Sequence, residues 1–276
     1  MTVAFSNVND LSALAESAVT ITGGTLHTGS TKSGMFSPYG FVRTEIDPTG
    51  ATVTVTIDLP ALAARDALAV WHNVDWGDLE IQLWDTAGPT MTESWAQNLP
   101  AFFFVEGQLV TTYRKPTAAF DQIKLIFTPT TGADISPLTI HRAWLASDAL
   151  EIKCNSLPHV QPLVTMQADS DGISQTRARP LGVGVRDSFN WNQLSFADVC
   201  KVLEFYRLSD YGACPLVYLE AFDEPTTNPV FGPHAACGLL RDPEWSAVHD
   251  GADVWQMSAG FDSIPHDTYP LPQPTI

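Results

Sequence analysis

Four groups of residues are of types that could do chemistry. Cys237 and His234 could form a thiolate–imidazole pair, but such a nucleophile needs a third group to orient the base, and nearness in sequence supplies no geometry. Glu80, Asp85, Glu220 and Glu224 could supply the paired carboxylates of a glycoside hydrolase, yet no spacing singles out one pair, and Glu80 falls on the outward side of a strand. Asp169-Ser170-Asp171-Gly172 begins as a calcium loop begins but lacks the later ligands and the closing glutamate, so it reads first as an Asx turn. Trp71, Trp76, Trp84, Trp95 and Trp144 could form a platform for a sugar ring, although most of them suit the core of a sandwich rich in large side chains. The seven histidines, at 27, 72, 141, 159, 234, 249 and 266, offer no close pair for a metal. There is no GxSxG elbow, no HExxH and no phosphate-binding GxxxxGK(S/T), and Gly182-Val183-Gly184 is only a fragment of a GxGxxG. The expectation is therefore no catalytic residue, no metal site, no cofactor and no enzyme activity.

The elements that would position such groups are clearest from Asp66 to Asp85. Ala67-Leu68-Ala69-Val70-Trp71 is a continuous apolar run, which suits a strand covered on both faces. Leu79, Ile81 and Leu83 alternate with Glu80, Gln82 and, less cleanly, Trp84, as a strand with one buried face requires. Between them, His72 to Asp78 reads as a turn built on Asn, Asp and Gly. Trp76 in that turn could stack on a sugar or plug into a partner protein, or it could pack on its own domain. Trp76, Asp78, Trp95 and His72 are the candidate contacts for a glycan or a partner.

From about Thr20 to Leu150 the pattern is β-rich and broken by turns. Thr52 to Leu59 is the clearest strand, with Val53, Val55, Ile57 and Leu59 facing a core, bracketed by Pro48, Gly50 and Pro60. Further strands are expected at 101–105, 122–128 and 138–145. This spacing, with no alternating βα rhythm, implies a mainly β fold that opens with an antiparallel sandwich, a jelly roll first among sandwiches. The remainder reads as a small α+β domain with one main helix. Ser195 caps that helix, Asp198 completes a capping-box-like start, and Phe196, Val199, Val202, Leu203 and Tyr206 share a face. Strands are expected after it at 215–222, 235–240 and 254–261. The boundaries are a sandwich over 1–150 and an α+β domain over 151–276 that ends in an extended proline-rich tail.

Net charge is −17, with seven cations against fifteen carboxylates in residues 1–150 and seven against sixteen in 151–276. Neither half is basic, which argues against binding nucleic acid or docking on anionic lipid. No stretch reaches the length of a membrane span and no secretory signal is evident, so folding in the cytoplasm is expected. Cys154, Cys200, Cys214 and Cys237 are spaced 46, 14 and 23 apart, without a CxxC, and are expected to be reduced and mostly buried.

Several stretches taken in order resemble minor tail proteins of long-tailed bacteriophages, including distal-tail-like baseplate proteins with a galactose-binding-like jelly roll. They are Val55 to Leu59, Arg65 to Asn73 and Gly77 to Asp85; Ile140 to Leu145 with Ala149-Leu150-Glu151; and Arg186, Asn190-Trp191, Leu194-Ser195 and Asp198 leading into the helix. Pro60 stands where a glycine is common in that family. Pro215 to Tyr218, Phe231-Gly232 and Trp255 to Phe261 continue the order. The resemblance implies a galactose-binding-like sandwich projecting from a ring-forming α+β domain. It implies a structural component of a virion tail tip or baseplate that self-associates, as a hexamer or alternatively a trimer, and links the tail tube to fibre or other host-recognition proteins. The alternative reading is a carbohydrate-binding protein that holds a host surface glycan through its sandwich loops.

Overall fold

The computed structural model describes residues 2–38, 42–72, 77–98, 110–129, 137–153, 159–170, 176–211, 213–219, 235–248 and 253–263. In chain order the strands of the first half are β1 (Thr2–Ser6), β2 (Val19–Thr22), β3 (Gly24–Leu26), β4 (Thr44–Pro48), β5 (Val53–Ala63), β6 (Ala67–His72), β7 (Gly77–Asp85), β8 (Thr90–Asn98), β9 (Val110–Arg114), β10 (Phe120–Pro129) and β11 (Leu138–Ala146). The rest comprises β12 (Leu150–Lys153), β13 (His159–Ser170), β14 (Thr176–Leu194), the helix α1 (Phe196–Leu208), β15 (Leu216–Leu219), β16 (Ala235–Ala247) and β17 (Trp255–Ser263). The fold is mainly β, as the alternating apolar pattern requires.

Three antiparallel sheets and α1 stack in four layers. The outermost sheet has the order β2-β5-β10-β7-β8, and the next has β3-β4-β11-β6-β9. Successive strands pass back and forth between these two, which makes a jelly-roll sandwich. Its core lies where the period of two places it: Val53, Val55 and Ile57 from β5, Leu79, Ile81 and Leu83 from β7, and Ile123, Leu125 and Phe127 from β10. Each such side chain contributes about 1.5–3 kcal/mol through burial. β6 and β11 are buried at every position, because the outer face of their sheet is covered by a third, seven-stranded sheet. Trp71, Trp144, Ala67, Ala69 and Ala146 fill that second layer against Ala4, Val217, Leu219 and Cys237.

The seven-stranded sheet runs β12-β1-β15-β16-β17-β14-β13, so the first strand of the chain lies beside strands from its second half. Its far face is covered by α1, with Val199, Val202 and Phe205 packed among Phe5, Trp191, Tyr218, Met257 and Phe261. Ser195 caps the helix as expected, its Oγ accepting from the Asp198 N–H at 3.1 Å. Phe196 departs from the expected buried face. It is 49% exposed and stacks on Trp255 with ring centroids 4.9 Å apart, because the first helical position lies beyond the edge of the covered surface.

Other boundaries also differ from expectation. β5 runs through Pro60 to Ala63, since the ladder to β10 is irregular between Asp58 and Ala63 and no donor is needed there. Among the thiols, Cys237 is buried but Cys200 and Cys214 are exposed, being on the outer side of α1 and in the turn after it. The strand expected at 101–105 and the proline-rich tail lie outside the described residues.

Candidate functional site

Among the described residues, the outward face of the outermost sheet carries a network of fixed polar and aromatic side chains. Strand alternation puts Thr54, Thr56 and Asp58 of β5, Gln122, Lys124 and Thr128 of β10, and Glu80, Gln82 and Trp84 of β7 on this side, opposite the core residues. Register sets Trp84 beside Gln122, Gln82 beside Lys124, and Glu80 beside Ile126. Trp84 is half-buried, and its Nε1 donates to Gln82 Oε1 at 3.1 Å. Gln82 Nε2 donates to Glu80 Oε1 at 2.7 Å, and Ser94 Oγ donates to the same oxygen at 2.8 Å. Lys124 Nζ lies 4.1 Å from the centroid of the Trp84 ring, and Gln122 Nε2 donates to Asp58 Oδ1 at 2.7 Å.

This network orients an indole and a row of planar hydrogen-bonding groups before any ligand arrives, which lowers the ordering cost of binding. At the end of the face near Trp84, the Thr86 hydroxyl donates to Asp121 Oδ2 at 2.6 Å and the Thr86 N–H to Oδ1 at 2.8 Å. These bonds, the hydroxyl's first, hold the Asp121 carboxyl below its ordinary value, so it stays an ionised acceptor.

Of the four contacts expected from sequence, the described Trp95 and His72 are not brought together on one surface. Trp76 lies outside the described residues. Asp78 falls in β7 at a register position opposite Thr128 and Asn98. Trp95 pairs with Ile81 and packs against the sandwich core, which corrects its reading as a loop contact: the same alternation that turns Glu80 outward turns Trp95 in. His72 is also corrected. It closes β6 instead of opening a loop, is 0% exposed, and sits edge-on to Phe127 with centroids 5.5 Å apart. Burial, and secondarily the neighbouring His141, pushes its pKa down to about 3, so it is neutral near pH 7.

The other chemical candidates fare no better. Cys237 lies 3.7 Å from the Pro38 carbonyl oxygen with its thiol pKa pushed up by burial, which disfavours a nucleophilic thiolate; His234 lies outside the described residues. Glu220, Glu224 and Asp171-Gly172 also lie outside them. Among the described residues no three His, Cys, Asp or Glu side chains converge on a metal position, and no helix is long and apolar enough to cross a membrane. Sequence reasoning placed Glu80 and, less cleanly, Trp84 on the outward side, but read Glu80 as solvated and left Trp84 in a set of tryptophans assigned mostly to the core. The available signal was their shared parity with Asp78 and Gln82 along one strand.

No family model and no curated protein matches the chain. Among solved structures, it is similar to chitosan-binding module 1 of a chitosanase/glucanase from Paenibacillus sp. IK-5, at 12% identity over 51% of this chain and 99% of that one, with a TM-score of 0.38. It is similar to a Ruminococcus gnavus GH29 fucosidase at 10% identity over 51% of this chain and 26% of that one, TM-score 0.37. The Clostridium perfringens protein CpGH89CBM32-6 matches at 11% identity over 51% of this chain and 100% of that one, TM-score 0.34. These figures go no further than a general likeness of shape over about half of the chain.

Proposed function

We propose that the sandwich is a carbohydrate-binding domain whose contact surface is the outward face of the β2-β5-β10-β7-β8 sheet. The observation that carries this reading is Trp84, an indole held half-exposed on a sheet face by its bond to Gln82 and flanked by Glu80, Ser94 and Lys124. A sugar offers one apolar ring face and a rim of hydroxyls, and this surface offers an indole beside fixed donors and acceptors, its ring opening to a sugar when the Lys124 side chain that lies over it swings aside. Binding is tested on a panel of immobilised glycans with the full chain. Wild type is expected to retain at least one glycan that Trp84→Ala loses by tenfold or more, with circular dichroism unchanged. Equal binding by both proteins, or no binding by either, refutes the reading.

A second, compatible reading is a self-assembling structural component, as the resemblance to phage tail proteins implies. The feature that favours it is the pair of outer strands β12 and β13, each with one neighbour among the described residues, because such edges accept strands from another chain. Sedimentation of the purified chain at increasing concentration tests it, a persistent monomer being the refuting result.

A further inference from the structure

The sandwich and the seven-stranded sheet are joined by two chain crossings that run side by side. Residues 7–9 lead from β1 into the sandwich and residues 147–149 lead back from β11 to β12. β1 and β12 are antiparallel neighbours, with Phe5 opposite Leu150. Polar anchors gather at this end: Trp144 Nε1 donates to Ser6 Oγ at 3.0 Å, Asn9 Nδ2 donates to the Ala143 carbonyl at 2.9 Å, and Lys115 pairs with Glu151.

Away from the crossings the two bodies are held by the packed layer between them. Five of the residues there are small, Ala4, Ala67, Ala69, Ala146 and Cys237. The layer also contains Arg142, which precedes Ala143 in β11, the residue whose carbonyl Asn9 holds. Arg142 is 0% exposed, and its Nη2 donates to the Pro38 carbonyl at 2.6 Å. Its guanidinium carbon lies 5.2 Å from the Trp71 ring centroid. Nε and Nη1 have no hydrogen-bond partner, and no carboxylate pairs with the group among the described residues. A guanidinium removed from water with two of its nitrogens left unbonded opposes the packing that buries it, and a cation–π contact recovers only part of that loss.

We propose that this layer is a releasable joint: the sandwich swings from the seven-stranded sheet about the paired crossings while both stay folded, and hydration of Arg142 favours the open form. The inference does not depend on sugar binding, because the face around Trp84 is on the far side of the sandwich. Cys237, buried in the layer, reports opening. With Cys154, Cys200 and Cys214 changed to serine, the rate at which Cys237 reacts with a water-soluble aromatic disulfide is measured in rising urea and compared with the global unfolding rate from tryptophan fluorescence. Labelling in the absence of urea is expected to be at least tenfold faster than global unfolding and nearly independent of urea. Arg142→Met is expected to slow it at least fivefold, and Arg142→Lys, which keeps the charge, to leave it fast. Labelling that tracks global unfolding in rate and urea dependence overturns the joint, and this comparison needs no variant at 142. Undiminished labelling in a folded Arg142→Met protein overturns the role of the arginine.

Discussion

Acid should weaken this fold through the buried imidazole of His72, and the amount can be worked out. His72 is completely buried, and its pKa is pushed from 6.5 down to about 3 by loss of hydration and then by His141. In the unfolded chain it titrates near 6.5. Above that value neither state binds the proton and stability is complete; as pH falls from 6.5 towards 3, only the unfolded state is protonated, so stability is lost. The slope is about 1.4 kcal/mol per pH unit, which gives about 2.7 kcal/mol lost by pH 4.5 and about 4.4 by pH 3, where the folded state begins to take the proton too. That is a large share of the roughly 5–15 kcal/mol that holds a typical domain together. Carboxylates also titrate below pH 5, so the useful quantity is a difference between proteins. Urea unfolding of wild type and His72→Leu, followed by tryptophan fluorescence at pH 7.5 and 4.5, isolates it. Wild type should lose about 2–3 kcal/mol more than the variant between the two pH values. An equal loss in both, or an NMR titration that places His72 near 6.5, would falsify the assignment.

Three further outcomes follow from named contacts. Asn9 is buried, donates to the Phe36 and Ala143 carbonyls, and accepts from the Leu11 and Leu145 N–H groups, so Asn9→Ala leaves buried groups unpaired and should cost about 2–4 kcal/mol in urea unfolding. Gly23 has φ +74° and no room for a β-carbon, which would meet the Thr52 carbonyl oxygen at 1.9 Å; Gly23→Ala should lower the melting temperature by several degrees, a cost of about 1–3 kcal/mol. Ser195→Ala removes the cap of α1 and should cost about 1 kcal/mol, read as faster hydrogen exchange in its first turn.

The sandwich was legible wherever one face of a strand meets water. Val53, Val55 and Ile57 alternate with threonines, and Leu79, Ile81 and Leu83 with Glu80 and Gln82, and these strands fall where expected. Ala67 to Trp71 also read correctly, as a strand covered on both sides. That same burial hid His72, because nothing in a polar residue at the end of an apolar run says that the run continues through it. The β13–β14 hairpin was illegible for a different reason. Pro162, Pro180, Gly182 and Gly184 look like breakers, yet Pro180 and Gly182 flank a bulge that steps over Leu181, between the Thr165–Gly182 and Met166–Pro180 pairs, and Pro162 falls in β13, an outer strand of the sheet. β16 repeats the device at Pro243, where Asp242 takes φ +41° and the register to β17 shifts. The face around Trp84 was half-visible: parity gave the direction of its side chains, while the bonds that lock Trp84, Gln82 and Glu80 together need coordinates.

The pairing of Phe5 with Leu150 means that the whole jelly roll is inserted at the tip of what would otherwise be an ordinary hairpin between β1 and β12. A two-residue Asn-Gly turn in place of residues 6–149 closes that hairpin directly between Phe5 and Leu150. The sandwich is thus a passenger that can be exchanged for another whose ends lie equally close, while the sheet that carries it keeps its strand order.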